Sequence, residues 1–168
     1  MYLEEVGVSM ENIVNLCIDS YSMERQCGRL YHQYTSSPVL FGSLFEALDQ
    51  MDRMFDRIGF PQAATRLRSF LEDLGEGTVP GRSQLSELPF FSKKEVKTMK
   101  TMEHVIQQRG IDATFLVRVM YRQDSDWQGE VTWVDGRKKE CFRSALELIK
   151  LLDSALDEDE KRKSGSRN

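Results

Sequence analysis

Histidine is scarce in this chain: His32 and His104 are the only two in 168 residues. Neither lies at metal-ligand spacing from Cys17, Cys27 or Cys141. A structural zinc needs four Cys or His ligands in close-spaced pairs, so no metal and no cofactor is expected. The three cysteines form no CxxC pair and leave a thiol over under any pairing, which reads as reduced, half-buried thiols rather than a disulfide framework. Long apolar runs are also missing, none approaching the roughly 18 residues of a membrane span. The opening Met1-Tyr2-Leu3-Glu4-Glu5 is acidic, without the basic-then-apolar order of a signal peptide. A cytoplasmic protein with no membrane partner is the expectation.

The motifs that announce chemistry are absent as well. No GxSxG, P-loop, GxGxxG or HExxH occurs. Glu95-Val96-Lys97 has the ExK ending of a nuclease motif, but it falls at a helix start with no upstream acid on a neighbouring element. Nothing joins a nucleophile, a base and an orienting group. No catalytic residue is assigned, and the chain reads as non-enzymatic.

What is present is ordinary in amount and unusual in arrangement. A 40% hydrophobic, 30% charged composition is that of a globular domain long enough to bury a core. The net charge of −4 is uneven: residues 1–59 carry nine acidic and four basic side chains, whereas 60–112 carry seven and eight. Residues 113–156 balance, as does the stretch from Asp157 onward. The acidic first half bears on partners more than on fold.

The chain contains a version of itself. With a shift of 101, Gly28, Phe41, Ser43, Glu46 and Asp52 fall on Gly129, Phe142, Ser144, Glu147 and Asp153. Apolar positions match between them: Leu30 with Val131, Phe45 with Leu146, Leu48 with Ile149, Met51 with Leu152 and Phe55 with Leu156. A fixed offset of this kind marks a repeated supersecondary unit.

The second copy shows the unit best. Phe115, Val117, Val119 and Tyr121 alternate with Arg118 and Arg122 facing the other way, the pattern of a half-buried strand. Trp127, Gly129, Val131 and Trp133 line a second strand. Asp135-Gly136 is a hairpin turn in which glycine would supply positive φ, and Arg137 to Cys141 returns as a lysine-protected edge. After Phe142 the period becomes helical, with Phe142, Ala145, Ile149, Leu152 and Leu156 in one stripe widened by Leu146 and Leu148. Ser144-Ala145-Leu146-Glu147 is a capping box.

The first copy follows the same plan: Gln26–Tyr34, a turn at Thr35–Pro38, Val39–Phe41, then Ser43-Leu44-Phe45-Glu46 opening a helix striped by Leu44, Leu48, Met51, Phe55 and Ile58. The offset makes Val14, Leu16 and Ile18 a strand as well. Between the copies, helices are expected over Ala63–Leu74 and over residues 92–109, separated by a Gly/Pro/Ser-containing loop. The fold class is therefore α+β: two pseudo-symmetric βββα units, 12–59 and 113–156, with two inserted helices in 60–112. Residues 1–156 form a single domain, and 157–168 a flexible charged tail.

Three groups are candidates for binding. Asp49, Asp52 and Asp56 share a helix face opposite the apolar stripe, where a solvated surface is the ordinary reading. Arg122, Gln123 and Trp127 cluster at a turn and are of the types found at interface hot spots, although a Trp127/Trp133 stripe is ordinarily core. Lys93, Lys97 and Lys100, continued by His104, would line one face of the second inserted helix. That face suits nucleic-acid phosphates or simple solvation.

The strings Val117-Arg118-Val119-Met120-Tyr121-Arg122-Gln123, Trp127-Gln128-Gly129 and Phe142-Arg143-Ser144-Ala145-Leu146-Glu147-Leu148, with Ser43-Leu44-Phe45-Glu46 and Gly59-Phe60-Pro61-Gln62, resemble a family of small uncharacterised Firmicutes proteins often encoded near mobile elements. The resemblance covers most of both copies and implies no established activity. Its setting implies a stoichiometric inhibitor of a host nucleoprotein complex such as a CRISPR effector nuclease, as anti-CRISPR proteins are. An acidic surface competing for a basic nucleic-acid channel fits that expectation. A nucleic-acid-binding regulator using the three lysines is the alternative. The oligomeric state is left open.

Overall fold

The computed structural model describes residues 12–22, 25–35, 37–63, 101–122 and 126–165. Within them the element order is β1 (Ile13–Tyr21), β2 (Gln26–Tyr31), β3 (Val39–Phe41), α1 (Leu44–Ile58), α2 (Met102–Ile106), β4 (Ala113–Tyr121), β5 (Gln128–Trp133), β6 (Lys138–Phe142) and α3 (Ala145–Gly165). The six strands form one antiparallel sheet in the order β3-β2-β1-β4-β5-β6. The chain is thus α+β, with the stretch around Leu16 a central strand as the 101 offset has it.

Burial follows the alternation. Val14, Leu16 and Ile18 on β1 join Phe115, Val117 and Val119 on β4 in one core with the apolar stripes of α1 and α3. Leu44, Leu48, Met51, Phe55 and Ile58 are all buried, with Ala47 and Met54 beside them. The opposite sheet face carries a smaller cluster, Cys17, Tyr31 and Val105, with Met102 of α2 against it. Burial pushes the Cys17 thiol up to about 11, so it stays protonated and inert.

Pairing within each hairpin set has the same register. Leu16 pairs Leu30 and Ile18 pairs Gly28, while Val117 pairs Val131 and Val119 pairs Gly129. Gly28 faces Phe41 and Gly129 faces Phe142. A Cβ on Gly28 would lie 2.0 Å from the Cys17 carbonyl oxygen, and on Gly129 2.0 Å from that of Arg118. Both positions therefore need the missing side chain. A register shift falls between Ile18 and Ser20 in β1 and between Val119 and Tyr121 in β4.

The helix starts obey the capping pattern. Ser43 Oγ accepts from the Glu46 N–H at 3.1 Å, and the Glu46 carboxylate accepts from the Gly42 N–H at 2.7 Å. Ser144 and Glu147 do the same, at 3.0 Å and, from the Arg143 N–H, 2.7 Å. Each cap satisfies backbone donors the helix leaves orphaned.

Several expectations are corrected. The strict alternation of β4 fails at its end: the irregularity after Val119 turns Tyr121 outward, 61% exposed, and Arg122 inward, 3% exposed. One extra residue in a strand reverses the facing of everything after it. Gly136 does not supply the positive φ of the β5–β6 turn; Arg137 does, at φ 53°. Gly136 is needed instead because a Cβ there would lie 2.2 Å from Cε3 of the Trp133 ring. The returning strand begins at Lys138, one residue later than expected.

Leu146 is 61% exposed and does not widen the α3 stripe. Residues 157–165, read as a frayed tail, are the last turns of α3. Acids followed four residues later by bases hold them helical: Lys163 pairs with Asp159 at 2.6 Å, and Arg162 pairs with Glu158. Lys138 and Asp112 anchor this end to the sheet through Glu158, at 2.8 Å, and Lys163, at 3.3 Å. Of the insert, the helix expected to run to residue 109 ends at Ile106, as α2. The expected helix over Ala63–Leu74 and residues 92–100 lie outside the described residues, apart from Ala63, which bridges to Arg122.

Candidate functional site

The irregularity in β4 delivers Arg122 to the helix side of the sheet, where it meets α1. Its guanidinium donates to the Pro61 carbonyl through Nε at 2.9 Å and Nη2 at 2.8 Å. Nη1 donates to the Asp52 backbone carbonyl at 3.3 Å and pairs with the Asp52 carboxylate. Nη2 also reaches Asp56 at 3.1 Å. The plane lies over the Phe55 ring, 5.3 Å from its centroid, and Trp127 meets the same ring edge-on at 5.8 Å. Burial pulls the Arg122 pKa down, opposed by the Asp52 charge and hydrogen bond.

Two candidate groups that the chain separates by some seventy residues are thereby brought together. Asp52, Asp56, Arg122 and Trp127 make one clamp that ties α1 to β4. The Arg122 side chain is 2% exposed, whereas that of Asp52 is 47% exposed. The cation is internal and one carboxylate remains open to solvent. Asp49 stands apart and pairs with Arg53 at 2.8 Å. Trp127 is buried, as the core reading of the tryptophan stripe has it. Gln123, Lys93, Lys97 and Lys100 lie outside the described residues, and His104 is exposed on α2.

Sequence reasoning missed Tyr21, which stands 101 positions before Arg122. The irregularity in β1 places it against the core, and its hydroxyl donates to Asp157 of α3 at 3.0 Å. Asp153 and Asp157 stand 101 positions after Asp52 and Asp56. Desolvation, then the hydrogen bond to Asp157, pushes the Tyr21 hydroxyl up to about 12. Burial, then the Asp157 charge, holds the Asp153 carboxyl above its ordinary value. One Asp153 oxygen is buried with no hydrogen-bond partner among the described residues. The 101 offset was the signal that would have found Tyr21, had the strand irregularity been known.

Arg29 makes a further fixed pair on the other sheet face, bidentate to Asp19 at 2.6 and 2.8 Å and bonded to the Tyr31 hydroxyl at 2.8 Å. The arginine holds the Asp19 carboxyl below its ordinary range. Among the described residues no group of three or more His, Cys, Asp or Glu side chains is arranged to hold a metal ion, and no helix is long and apolar enough to cross a membrane.

No protein-family model, curated protein or solved structure matches this chain.

Proposed function

We propose that the chain is a tandem pair of pseudo-symmetric βββα units and that it works as a non-enzymatic interaction protein, binding its partner stoichiometrically. Support for the pairing of units comes from the shared registers, the matched glycine–phenylalanine contacts and the twin capping boxes, all related by 101. Support for binding comes chiefly from one observation. Phe45 and Leu146, equivalent positions in the first turns of α1 and α3, are 77% and 61% exposed. One exposed apolar side chain is commonplace. The same exposure at both equivalent positions argues for use, and aromatic anchors carry much of the energy of interfaces.

Asp49 and the open half of Asp52 extend this surface toward a basic partner, while Arg122 and Trp127 hold α1 from behind. The partner class to test first is a nucleoprotein complex such as a CRISPR effector nuclease, the target of an anti-CRISPR protein. A guide-loaded effector is titrated with the protein, and DNA cleavage and co-elution are followed. The expected result is inhibition that completes near one equivalent and is lost in a Phe45→Asp/Leu146→Asp double variant with unchanged circular dichroism. Inhibition complete at a small fraction of an equivalent would overturn the non-enzymatic reading. Failure to bind the effector at all would remove this target class.

A further inference from the structure

A second site lies away from the Arg122 clamp, between α3 and the outer half of the sheet. There a cavity of about 220 Å³ is walled by Phe115, Val131, Trp133, Leu151 and Ala155, with Lys138, Glu140, Ser154 and Glu158 around it. Trp133 is 5% exposed, and its indole Nε1 is buried without a hydrogen-bond partner among the described residues. An indole N–H is a donor only, and leaving it unpaired in the interior is costly because it has given up its water. Apolar walls plus one unmet donor are the ingredients of a small-molecule pocket.

The ring is held rigidly. Gly136 presses one side so closely that a Cβ would not fit. The Lys138 and Arg162 cations stand over the ring at 5.8 and 5.4 Å from its centroid. Both cations are paired with Glu158, and Glu140 beside the cavity supplies a second carboxylate, so two positive and two negative charges balance and none is left over to select an ion. The cavity exceeds the ~150 Å³ apolar cavities that admit benzene.

The two halves also differ where it matters. On the duplication proposed above, Ala155 corresponds to Met54, which is fully buried in the first unit. A methionine thioether fills the position in one unit, and in the other a methyl group leaves it open.

We infer that the cavity beside Trp133 is a binding site for a small uncharged molecule with an apolar body of benzene size and a single hydrogen-bond acceptor, a ketone or amide carbonyl, which takes the Trp133 indole N–H. The chain has two tryptophans, so its two indole N–H resonances give a direct readout, assigned with Trp127→Phe. Cyclohexanone is the probe, and benzene is the control of similar size that lacks the carbonyl.

Cyclohexanone at millimolar concentration should shift the Trp133 indole resonance saturably and leave that of Trp127 in place. Benzene should bind about fivefold more weakly, the equivalent of a hydrogen bond of about 1 kcal/mol. Ala155→Met should weaken cyclohexanone binding at least tenfold. Trp133→Phe, followed on the Val131 methyl resonances, should abolish the preference for the ketone and serves where Ala155→Met does not fold. An unmoved Trp133 resonance, equal binding of benzene and cyclohexanone, or a retained ketone preference in Trp133→Phe would overturn the assignment.

Discussion

At one end of the central strand pair Arg122 enters the space between sheet and helix and finds two carboxylates and a carbonyl waiting. At the other end Tyr21 enters the corresponding space and finds two carboxylates as well, Asp153 and Asp157. The geometry that delivers them is shared, a strand irregularity two or three residues before each. The chemistry is not. A guanidinium has five donors in a planar fork and engages Asp52, Asp56 and Pro61 together. A phenol has a single donor and engages Asp157 alone. Asp153 keeps one buried oxygen without a hydrogen-bond partner among the described residues, and burial, then the Asp157 charge, holds its carboxyl above its ordinary value. A register shift in each strand thus leads to a compensated clamp at one end and an under-compensated acidic pair at the other.

The comparison depends first on the two units sharing a backbone, and the largest expected effects test that. Gly28→Ala and Gly129→Ala should each destabilise by about 3 kcal/mol or more, because each Cβ would meet a neighbouring strand carbonyl at 2.0 Å. Chemical denaturation should give losses of similar size for the two. A large loss for one and a negligible loss for the other would break the equivalence.

Next in size is the clamp itself. Arg122→Ala should cost about 2–3 kcal/mol. That is below the ~3–5 kcal/mol of a wholly buried pair, since Asp52 can turn to solvent while the Pro61 carbonyl cannot. Thermal unfolding at neutral pH measures it. The counterpart change, Tyr21→Phe, removes one partly exposed hydrogen bond and should cost about 0.5 kcal/mol. If the two losses were equal, the difference in compensation argued here would be wrong.

Transplanting the arginine sharpens the point. Tyr21→Arg should offer Asp153 and Asp157 the cation that Asp52 and Asp56 already have, and should bring the Asp153 carboxyl down in a carbon-detected NMR titration. No movement of that resonance would mean the two spaces differ in more than their central side chain.

The smallest effect concerns pH. A carboxyl whose folded pKa lies above the 3.8 of a free aspartate binds more protons in the folded state between the two values. Stability from this group is therefore greatest below 3.8 and is lost as pH rises through the folded pKa. Asp153→Asn removes the dependence. It should raise the melting temperature at pH 7 and leave it nearly unchanged below pH 3.8. A variant less stable than the parent at pH 7 would contradict the sign.

Much of this is legible in the sequence. Alternation at Phe115, Val117 and Val119 marked a strand, the 101 offset marked Leu16 as its counterpart, and serine–glutamate pairs marked both helix starts. These are local signals, set by residue spacing and by the hydrogen-bonding needs of a helix end. The Arg122 clamp was legible only as two unconnected candidates, because an inserted strand residue leaves no mark in an apolar pattern until its pairing partner is known. The end of α3 was misread for a related reason. Asp157–Lys163 is as polar as a disordered tail, and only its acid-to-base spacing and its anchors at Lys138 and Asp112 make it a helix.

The sequence by itself determined the α+β class, the two serine-capped helix starts and the inward face of β1, of β4 as far as Val119 and of α1, since periodicity and capping act over a few residues. Tertiary structure alone decided that Arg122 and not Tyr121 turns inward, that Asp52 and Asp56 answer it from a helix far away in the chain, and that Gly136 serves the Trp133 ring rather than a turn. Each of those depends on which strand lies beside which and in what register, and pairing across a sheet is a long-range choice that no local window of residues contains.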